Sequence, residues 1–451
     1  MKTFVALRET YPVFRFHAYD LTLSEKTVEI TYHFEIAGLA AFAPHWSFPR
    51  GTAAVTADDP TLRRLAFSLG MVELVSYWKL CCCPRVEIFA GALDDAQCTW
   101  WKRLYFHGLG EFFYRNGITP DADSFMELVS CGEPIEGASA STPKNGCLVP
   151  IGGGKDSAVT LELLRGQKAT NYCYIINPRG ATLETVKAAG YDAAHTLAVH
   201  RTLDKTMLEL NRAGFLNGHT PFSAIVAFSS VLTAYLHGLR YVVLSNESSA
   251  NESTVAGSTV NHQYSKSFAF ERDFHEYEEK YIASGVLYFS LLRPMSEYKI
   301  AQLFAKMPRY HRIFRSCNVG SREDIWCGHC PKCLFVFLIL SPFLPHAAVC
   351  DIFGRDMLAD ESMQPVFEQL IGISPEKPFE CVGSRGEVNT AAVQTVRQME
   401  AAGEKLPYLL QYYKTTPLFA QYSEAPHAYE DDYDAENLLP PAFAALVRAA
   451  Y

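Results

Sequence analysis

The chain has 451 residues, of which 49% are hydrophobic and 20% are charged, a composition typical of a globular protein with more than one core. Forty Lys and Arg residues against 49 Asp and Glu residues give a net charge of −9. No overall positive field therefore attracts a phosphate backbone, and we predict no nucleic-acid partner.

The start of the chain and its most apolar run bear on where the protein works. Residues 1–12 reach Arg8 and Glu9 before any apolar run of signal-peptide length. Residues 334–349 are the most apolar stretch, but two prolines and a histidine interrupt them well short of the ~20 apolar residues that span a membrane. Thirteen cysteines, clustered only near residue 330, fit a reducing compartment. We predict a cytoplasmic protein with no membrane partner.

The first part of the chain predicts a small α+β domain over residues 1–140. Hydrophobic alternation over residues 13–36 is typical of a β-hairpin. Residues 131–146 (CGEPIEGASASTPKNG) collect Gly, Pro, Ser and Asn, which is typical of a linker and predicts the domain boundary. The other elements expected in this domain are a helix, a strand and an aromatic-rich helix at residues 62–80, 86–91 and 99–115.

Beyond the linker, strand-like and helix-like segments alternate, which predicts a doubly wound parallel sheet. The fold class is therefore α/β, with this core at residues 146–345 and a mostly helical region at 346–451. Strands are expected at residues 147–151, 171–177, 195–200 and 241–247, and helices at 157–164, 182–189 and 221–239.

A glycine-rich loop joins the first core strand to the first core helix. It consists of Gly152, Gly153, Gly154, Lys155, Asp156 and Ser157. Successive glycines let backbone N–H groups approach a phosphate closely, and the helix N-terminus adds unpaired donors. The spacing fits neither GxxxxGK[ST] nor GxGxxG. The loop therefore predicts an anion site that is neither a Walker loop nor a Rossmann fingerprint.

The string PIGGGKDS resembles the SGGxDS signature of the PP-loop ATP pyrophosphatases, which have a HUP-like fold. Gly152 stands where that signature has serine. The resemblance implies that the loop binds ATP, that Ser157 contacts the phosphates, and that Asp156 places the metal or orients the loop. It also places Asn177, at the end of the second core strand, near the adenosine, although turn chemistry alone would explain an asparagine there.

Four cysteines form a second motif, C-x9-C-x2-C-x2-C. They are Cys317, Cys327, Cys330 and Cys333. Four thiolates bind a structural zinc ion tetrahedrally and leave no position for substrate. An iron–sulfur cluster also accepts four cysteines, and buried thiols without metal are a third reading. We favour zinc, and the similar four-cysteine site of the deazaguanine nitrile synthases supports this choice.

The whole arrangement resembles the bacterial UDP-N-acetyl-α-D-muramoyl-L-alanyl-L-glutamate epimerases of the MurL type. The resemblance rests on GLGEFFYRNGI, PIGGGKDS, LSNESSANES and WCGHCPKCLFVFLILSPF, and it spans nearly the whole chain. It implies ATP- and Mg2+-dependent inversion of the terminal L-Glu of UDP-MurNAc-L-Ala-L-Glu for peptidoglycan synthesis, with AMP and pyrophosphate released. ATP and the UDP-MurNAc-dipeptide are then the partners.

An acyl-adenylate makes such an inversion feasible. A neighbouring carboxylate opposes removal of the α-proton, because the product would carry a second negative charge. Joining that carboxylate to AMP removes the charge, and each pKa unit by which the C–H bond is acidified lowers the cost of proton removal by ~1.4 kcal/mol. Two proton-transfer groups on opposite faces, or one mobile group, are then required.

No spacing rule identifies the proton-transfer group. Conceivable side chains are His219, Lys266, Glu271 and Cys173, of which we select His219 as catalytic. The residues expected to bind substrate, at the places where an α/β sheet opens its cleft, are Asn246, Glu247, Lys266 and Arg293. Further candidates to bind its anionic groups are Arg115 and Arg272.

Two other classes of function remain open. One is another PP-loop enzyme, a ligase or a nitrile or amide synthase acting on a deazapurine or a tRNA base. The other is a nucleotide-binding module without catalysis. The negative net charge disfavours tRNA, and retention of Lys155, Asp156 and Ser157 disfavours the module.

Overall fold

The structure is a computed structural model that describes residues 2–137, 143–254, 261–424 and 427–451. The middle of the predicted linker, residues 138–142, lies outside the described residues.

The N-terminal part is a hairpin-based sheet with helices, and the predicted hairpin is confirmed as β1 and β2. Its elements are α1 (Phe4–Thr10), β1 (Val13–Leu23), β2 (Thr27–Ile36), β3 (Ala40–Phe42), β4 (His45–Pro49), α2 (Pro60–Trp78), β5 (Arg85–Ile88), α3 (Asp95–Gly108), α4 (Gly110–Arg115) and β6 (Glu127–Ser130).

The middle of the chain alternates strands and helices as predicted. Its elements are β7 (Lys144–Pro150), α5 (Lys155–Leu163), β8 (Asn171–Ile176), α6 (Gly180–Ala188), β9 (Thr196–Thr202), α7 (Lys205–Arg212), α8 (Phe222–Leu236), β10 (Leu239–Leu244), α9 (Phe268–Tyr277), β11 (Leu287–Ser290) and α10 (Glu297–Ala305).

The last part of the chain is helical in the residues described, as predicted. Its helices are α11 (Pro331–Leu340), α12 (His346–Phe353), α13 (Gln364–Ile371), α14 (Arg385–Ala401), α15 (Tyr408–Lys414), α16 (Pro417–Glu424) and α17 (Pro441–Arg448). α11 is apolar because it is buried against α13 and α14. Among the described residues, every helix is too short or too polar to cross a bilayer.

The described strands form one eleven-stranded sheet in the order β11-β10-β7-β8-β9-β4-β2-β1-β5-β6, with β3 beside β2. The five strands from β11 to β9 are parallel, which confirms the parallel sheet predicted for the core. From β7 the sheet adds β8 and β9 on one side and β10 and β11 on the other, so the strand order reverses between β7 and β10. Ligands of doubly wound sheets bind outside the carboxyl ends of the strands at such a reversal. The glycine loop follows β7 and Asn246 follows β10, so both lie at this position.

The sheet continues without interruption from the core into the N-terminal part. β4 pairs antiparallel with β9, with His45 opposite Thr202 and Ser47 opposite His200. One hydrophobic cluster contains side chains from both parts, including Trp46 and Tyr174. The boundary predicted between residues 140 and 146 therefore separates two parts of one sheet, and the division into three domains stays a prediction.

Removal of residues 1–140 is expected to abolish the fold of the remaining chain. The deletion would uncover the edge of β9 and the apolar side of α8, which packs on α2. The measurement compares soluble yield and thermal unfolding of the fragment 141–451 with those of the full chain. A soluble fragment with a cooperative unfolding transition would contradict the expectation.

Candidate active site

The glycine loop turns sharply between β7 and α5. Gly153 has a φ of +82°, and a Cβ there would lie 3.1–3.2 Å from Ala181 of α6, so both conformation and space require glycine. Gly154 is the N-cap of α5 and contributes no side-chain cap. The first N–H groups of α5 are therefore available to a ligand, as expected of an anion-binding loop.

Lys155 points into the protein. Its Nζ contacts the carboxylates of Asp156 and Glu297, and its side chain is only 2% exposed. Burial disfavours the ammonium, but these two carboxylates outweigh it and raise the pKa of Lys155. Burial also opposes ionisation of Asp156, but the charge of Lys155 lowers the pKa of that carboxyl. The ammonium of Lys155 thus balances the negative charge of the carboxyl groups beside the loop.

Two further residues of the predicted nucleotide site make local contacts. The Ser157 hydroxyl donates to the Gly154 carbonyl at 3.1 Å. Asn177 has a φ of +48°, and its side chain donates to and accepts from the backbone of Arg201, both at 2.9 Å. The Asn177 amide thereby prolongs the β8–β9 pairing, and its predicted contact with adenosine stays a prediction.

The predicted substrate residues after β10 are held by a buried network. The N–H of Asn246 donates to the Ser290 hydroxyl at 2.6 Å. Arg293 is fully buried and pairs with Glu271 at 2.8 Å. The same guanidinium donates to the carbonyls of Glu247 and Lys266, at 2.6 and 2.5 Å. Arg293 therefore fixes the backbone of two predicted substrate residues while its own donors are occupied.

Arg293→Met is expected to destabilise the protein by about 3–5 kcal/mol, because it leaves the buried Glu271 carboxylate without its partner. Denaturant unfolding measures the change, and Arg272→Met, at an exposed position of α9, serves as the matched control. Equal free energies of unfolding for the two variants would contradict a structural role for Arg293.

His219, the predicted catalytic residue, lies beside a second histidine and a carboxylate. His219 Nδ1 is 3.9 Å from Oε2 of Glu111 on α4, and the same oxygen is 2.5 Å from Nδ1 of His262. Burial and the charge of His262 lower the pKa of His219 to about 3. Burial opposes protonation of His262, but its hydrogen bond to Glu111 and its interaction with Cys381 raise its pKa to about 9. His219 is thus neutral and His262 charged at neutral pH.

Cys381 completes this cluster. Its thiol interacts electrostatically with His262 and Lys266. Burial opposes the thiolate, but Lys266, His262 and Lys332 outweigh it and lower the pKa of Cys381 to about 5. Sequence reasoning missed Cys381, His262 and the role of Glu111, because they come from three distant segments without a spacing rule.

Two other conceivable proton-transfer groups are unsuited by their surroundings. Cys173 lies fully buried in β8, where burial raises the pKa of its thiol to about 12. Glu271 is 1% exposed and is paired with Arg293. Cys173 therefore keeps its proton at neutral pH, and the Glu271 carboxylate is occupied by Arg293 and the Ser290 N–H.

The four cysteines of the second motif converge. Their sulfur atoms all lie within 4.8 Å of one another. Separations of 3.8 Å (Cys317–Cys330), 3.7 Å (Cys327–Cys333) and 3.4 Å (Cys330–Cys333) are close to the ~3.8 Å that follows from a tetrahedron of ~2.3 Å zinc–sulfur bonds. Pro331 begins α11 immediately after Cys330, and Gly328 has a φ of +73°. The donor set fits one zinc ion.

Fold and site together define an α/β protein with a mixed sheet and a glycine loop at the reversal of strand order. Residues 6–291 match the family model of the MurL N-terminal domain, and residues 313–422 match that of the MurL C-terminal domain. The chain belongs to the MurL family.

Curated relatives support this assignment. A UDP-N-acetyl-alpha-D-muramoyl-L-alanyl-L-glutamate epimerase of Xanthomonas oryzae pv. oryzae is 38% identical over 356 residues, which cover 77% of each chain. Proteins of the same name from Micromonospora sp. and Salinispora tropica are each 37% identical, over 72% of this chain and 72% and 71% of their own. No solved structure matches the chain.

Proposed function

We propose that this chain inverts the terminal L-glutamate of UDP-MurNAc-L-Ala-L-Glu to D-glutamate, at the expense of ATP, to supply peptidoglycan synthesis. The observation that carries the proposal is similarity over about three quarters of the chain to relatives named for this epimerisation. The parallel core with a loop at its strand reversal supports a nucleotide site of the PP-loop type.

The glycine loop is the proposed phosphate site. The uncapped start of α5 offers backbone donors to the phosphates of ATP. Asp156 keeps 29% of its side chain exposed and is held ionised by Lys155, so it is the proposed carboxylate ligand of Mg2+. When bound, Mg2+ would balance the charge of the departing pyrophosphate.

The proposed reaction begins when an oxygen of the glutamyl α-carboxylate attacks the α-phosphorus of ATP and pyrophosphate leaves. The acyl-adenylate loses its α-proton, is reprotonated on the opposite face and is hydrolysed to the D-glutamyl product and AMP. Lys266 is charged and lies among Glu247, Asp156 and Cys381, whose negative charges outweigh burial and raise its pKa. It is the proposed cation for the substrate carboxylate.

The four cysteines are proposed to hold a structural zinc ion. A cubane iron–sulfur cluster, in which each thiolate binds a different iron, requires wider sulfur separations than the 3.4–3.8 Å of this cluster. The zinc would brace the start of α11, where Lys332 contacts the carbonyl of Cys381. It would hold the shape of the site and would take no part in the chemistry.

The experiment incubates purified protein with UDP-MurNAc-L-Ala-L-Glu and Mg2+, with and without ATP. After acid hydrolysis, chiral chromatography should show D-glutamate only in the reaction with ATP, together with AMP in solution. AMP with glutamate that stays entirely L would indicate another PP-loop reaction. D-glutamate formed without ATP would contradict the adenylation route.

A further inference from the structure

The segment around Cys381 connects three parts of the protein beside the proposed site. Tyr114 of α4 contacts Glu376. Gln263 donates to the carbonyl of Val382 at 3.2 Å. Nζ of Lys332 in α11 contacts the carbonyl of Cys381. The N-terminal part, the core and the four-cysteine region thus all hold the segment that carries Cys381.

A carboxylate and an imidazole orient the thiol. His262 Nδ1 is 2.5 Å from Glu111 Oε2, so its other ring nitrogen is left for Cys381. A carboxylate that orients an imidazole beside a thiol is the arrangement that produces a reactive thiolate.

Lys266 links this thiol to the glycine loop. Its ammonium interacts with Cys381 and also with Asp156 of the loop. The α-carbon of a glutamyl adenylate is one bond from the carbon joined to AMP. A base for the α-proton must therefore lie next to the adenylation site, and Lys266 links Cys381 to the proposed phosphate loop.

The other candidates do not meet the requirement for a free base. His219 is neutral but weakly basic, and Lys266 is held protonated by the surrounding negative charges. Glu271 is paired with Arg293, and Cys173 stays protonated in the sheet. Of these five side chains, all within the described part of the protein, Cys381 is the thiolate beside His262 and Lys266, whereas the Glu271 carboxylate is occupied by Arg293.

We propose that the thiolate of Cys381 removes the α-proton of the glutamyl adenylate, with His262 and Glu111 as positioning residues. This inference rests on the proposed function. The proton moves to Sγ, and the C–H electron pair moves into the acyl group to form an enolate. A proton that derives from water is added to the opposite face, and the thiol returns its proton to water.

The test measures exchange of the α-proton in D2O. Wild-type protein with substrate, ATP and Mg2+ should place deuterium at the α-carbon, read by mass spectrometry. Cys381→Ser keeps the size of the side chain but raises its pKa, so exchange and D-glutamate formation should fall by at least about 100-fold. AMP formation should continue, because adenylation precedes proton removal. Cys131→Ser, at an exposed thiol, is the control and should exchange normally.

The outcomes separate this inference from the proposed function. Wild-type protein that forms neither AMP nor D-glutamate refutes the function itself. Normal exchange in Cys381→Ser, or loss of AMP formation together with exchange, overturns only the role of Cys381 as base. A thioester on Cys381, detected by intact-protein mass spectrometry, would also overturn it, because the thiol would then be a nucleophile.

If Cys381→Ser fails to fold, chemical modification of the wild-type protein tests the same proposal. Iodoacetamide at pH 6 should alkylate Cys381 faster than Cys131, as mapped by peptide mass spectrometry, since the thiolate is the reactive form. Exchange should decline in proportion to modification of Cys381. Exchange that persists after complete modification would overturn the proposal.

Discussion

Replacing Asp156 with alanine is expected to reduce ATP-dependent AMP release by at least about 100-fold while leaving the fold intact. Asp156 stands at the start of α5, partly exposed, and carries the charge proposed to place Mg2+ against the phosphates. Lys155 keeps its contact with Glu297 in the variant, so its buried ammonium retains a partner. The loss should therefore appear in turnover rather than in stability.

Pyrophosphate release and thermal unfolding, measured on the same preparations, check this expectation. Glu209→Ala removes an exposed carboxylate of α7 and serves as the matched control. An Asp156→Ala variant that turns over at the rate of the control would show that the nucleotide binds elsewhere.

Replacing Cys330 with serine is expected to remove the metal and to lower stability together. Cys330 is buried, with its sulfur 3.4 Å from that of Cys333 and 3.8 Å from that of Cys317, so it is central to the donor set. A hydroxyl is a poor substitute for a thiolate ligand of zinc, and metal binding contributes to folding free energy. We expect a loss of about 3 kcal/mol or more, which corresponds for a chain of this length to a fall in Tm of roughly 3 °C or more.

Elemental analysis and calorimetry test this prediction. Wild-type protein should contain one zinc per chain, and Cys330→Ser much less than one. Cys350→Ser changes a half-buried thiol of α12 outside the four-cysteine set and should retain zinc. A metal-free Cys330→Ser protein with the wild-type Tm would contradict a structural ion, and iron in place of zinc would contradict the choice of metal.

Local patterns predicted much of the fold. The hairpin of β1 and β2 and the parallel core follow from alternation and from the change of period after the linker. The junction of β4 with β9 was not predicted, because β4 has five residues and its partner lies more than 150 positions away. Long-range pairing of a short strand leaves no local signal.

The candidate site likewise combines residues that the sequence predicts with residues that only folding brings together. The residues of the glycine loop are close together in sequence, and so are the four cysteines, so their spacing alone predicted each group. Glu111 and His262 are 151 positions apart and meet only in the folded chain. Arg293 was predicted as a ligand contact because sequence reveals its charge, whereas its full burial against Glu271 depends on tertiary packing.

Oxygen transfer tests the central claim, that adenylation of the substrate drives the inversion. Substrate carrying 18O in the glutamyl α-carboxylate is incubated with protein, ATP and Mg2+, and the AMP is analysed by mass spectrometry. Hydrolysis of an acyl-adenylate at its carbonyl carbon leaves one 18O atom in AMP, and this is the result we predict. D-glutamate formed beside AMP that contains no 18O would contradict the account.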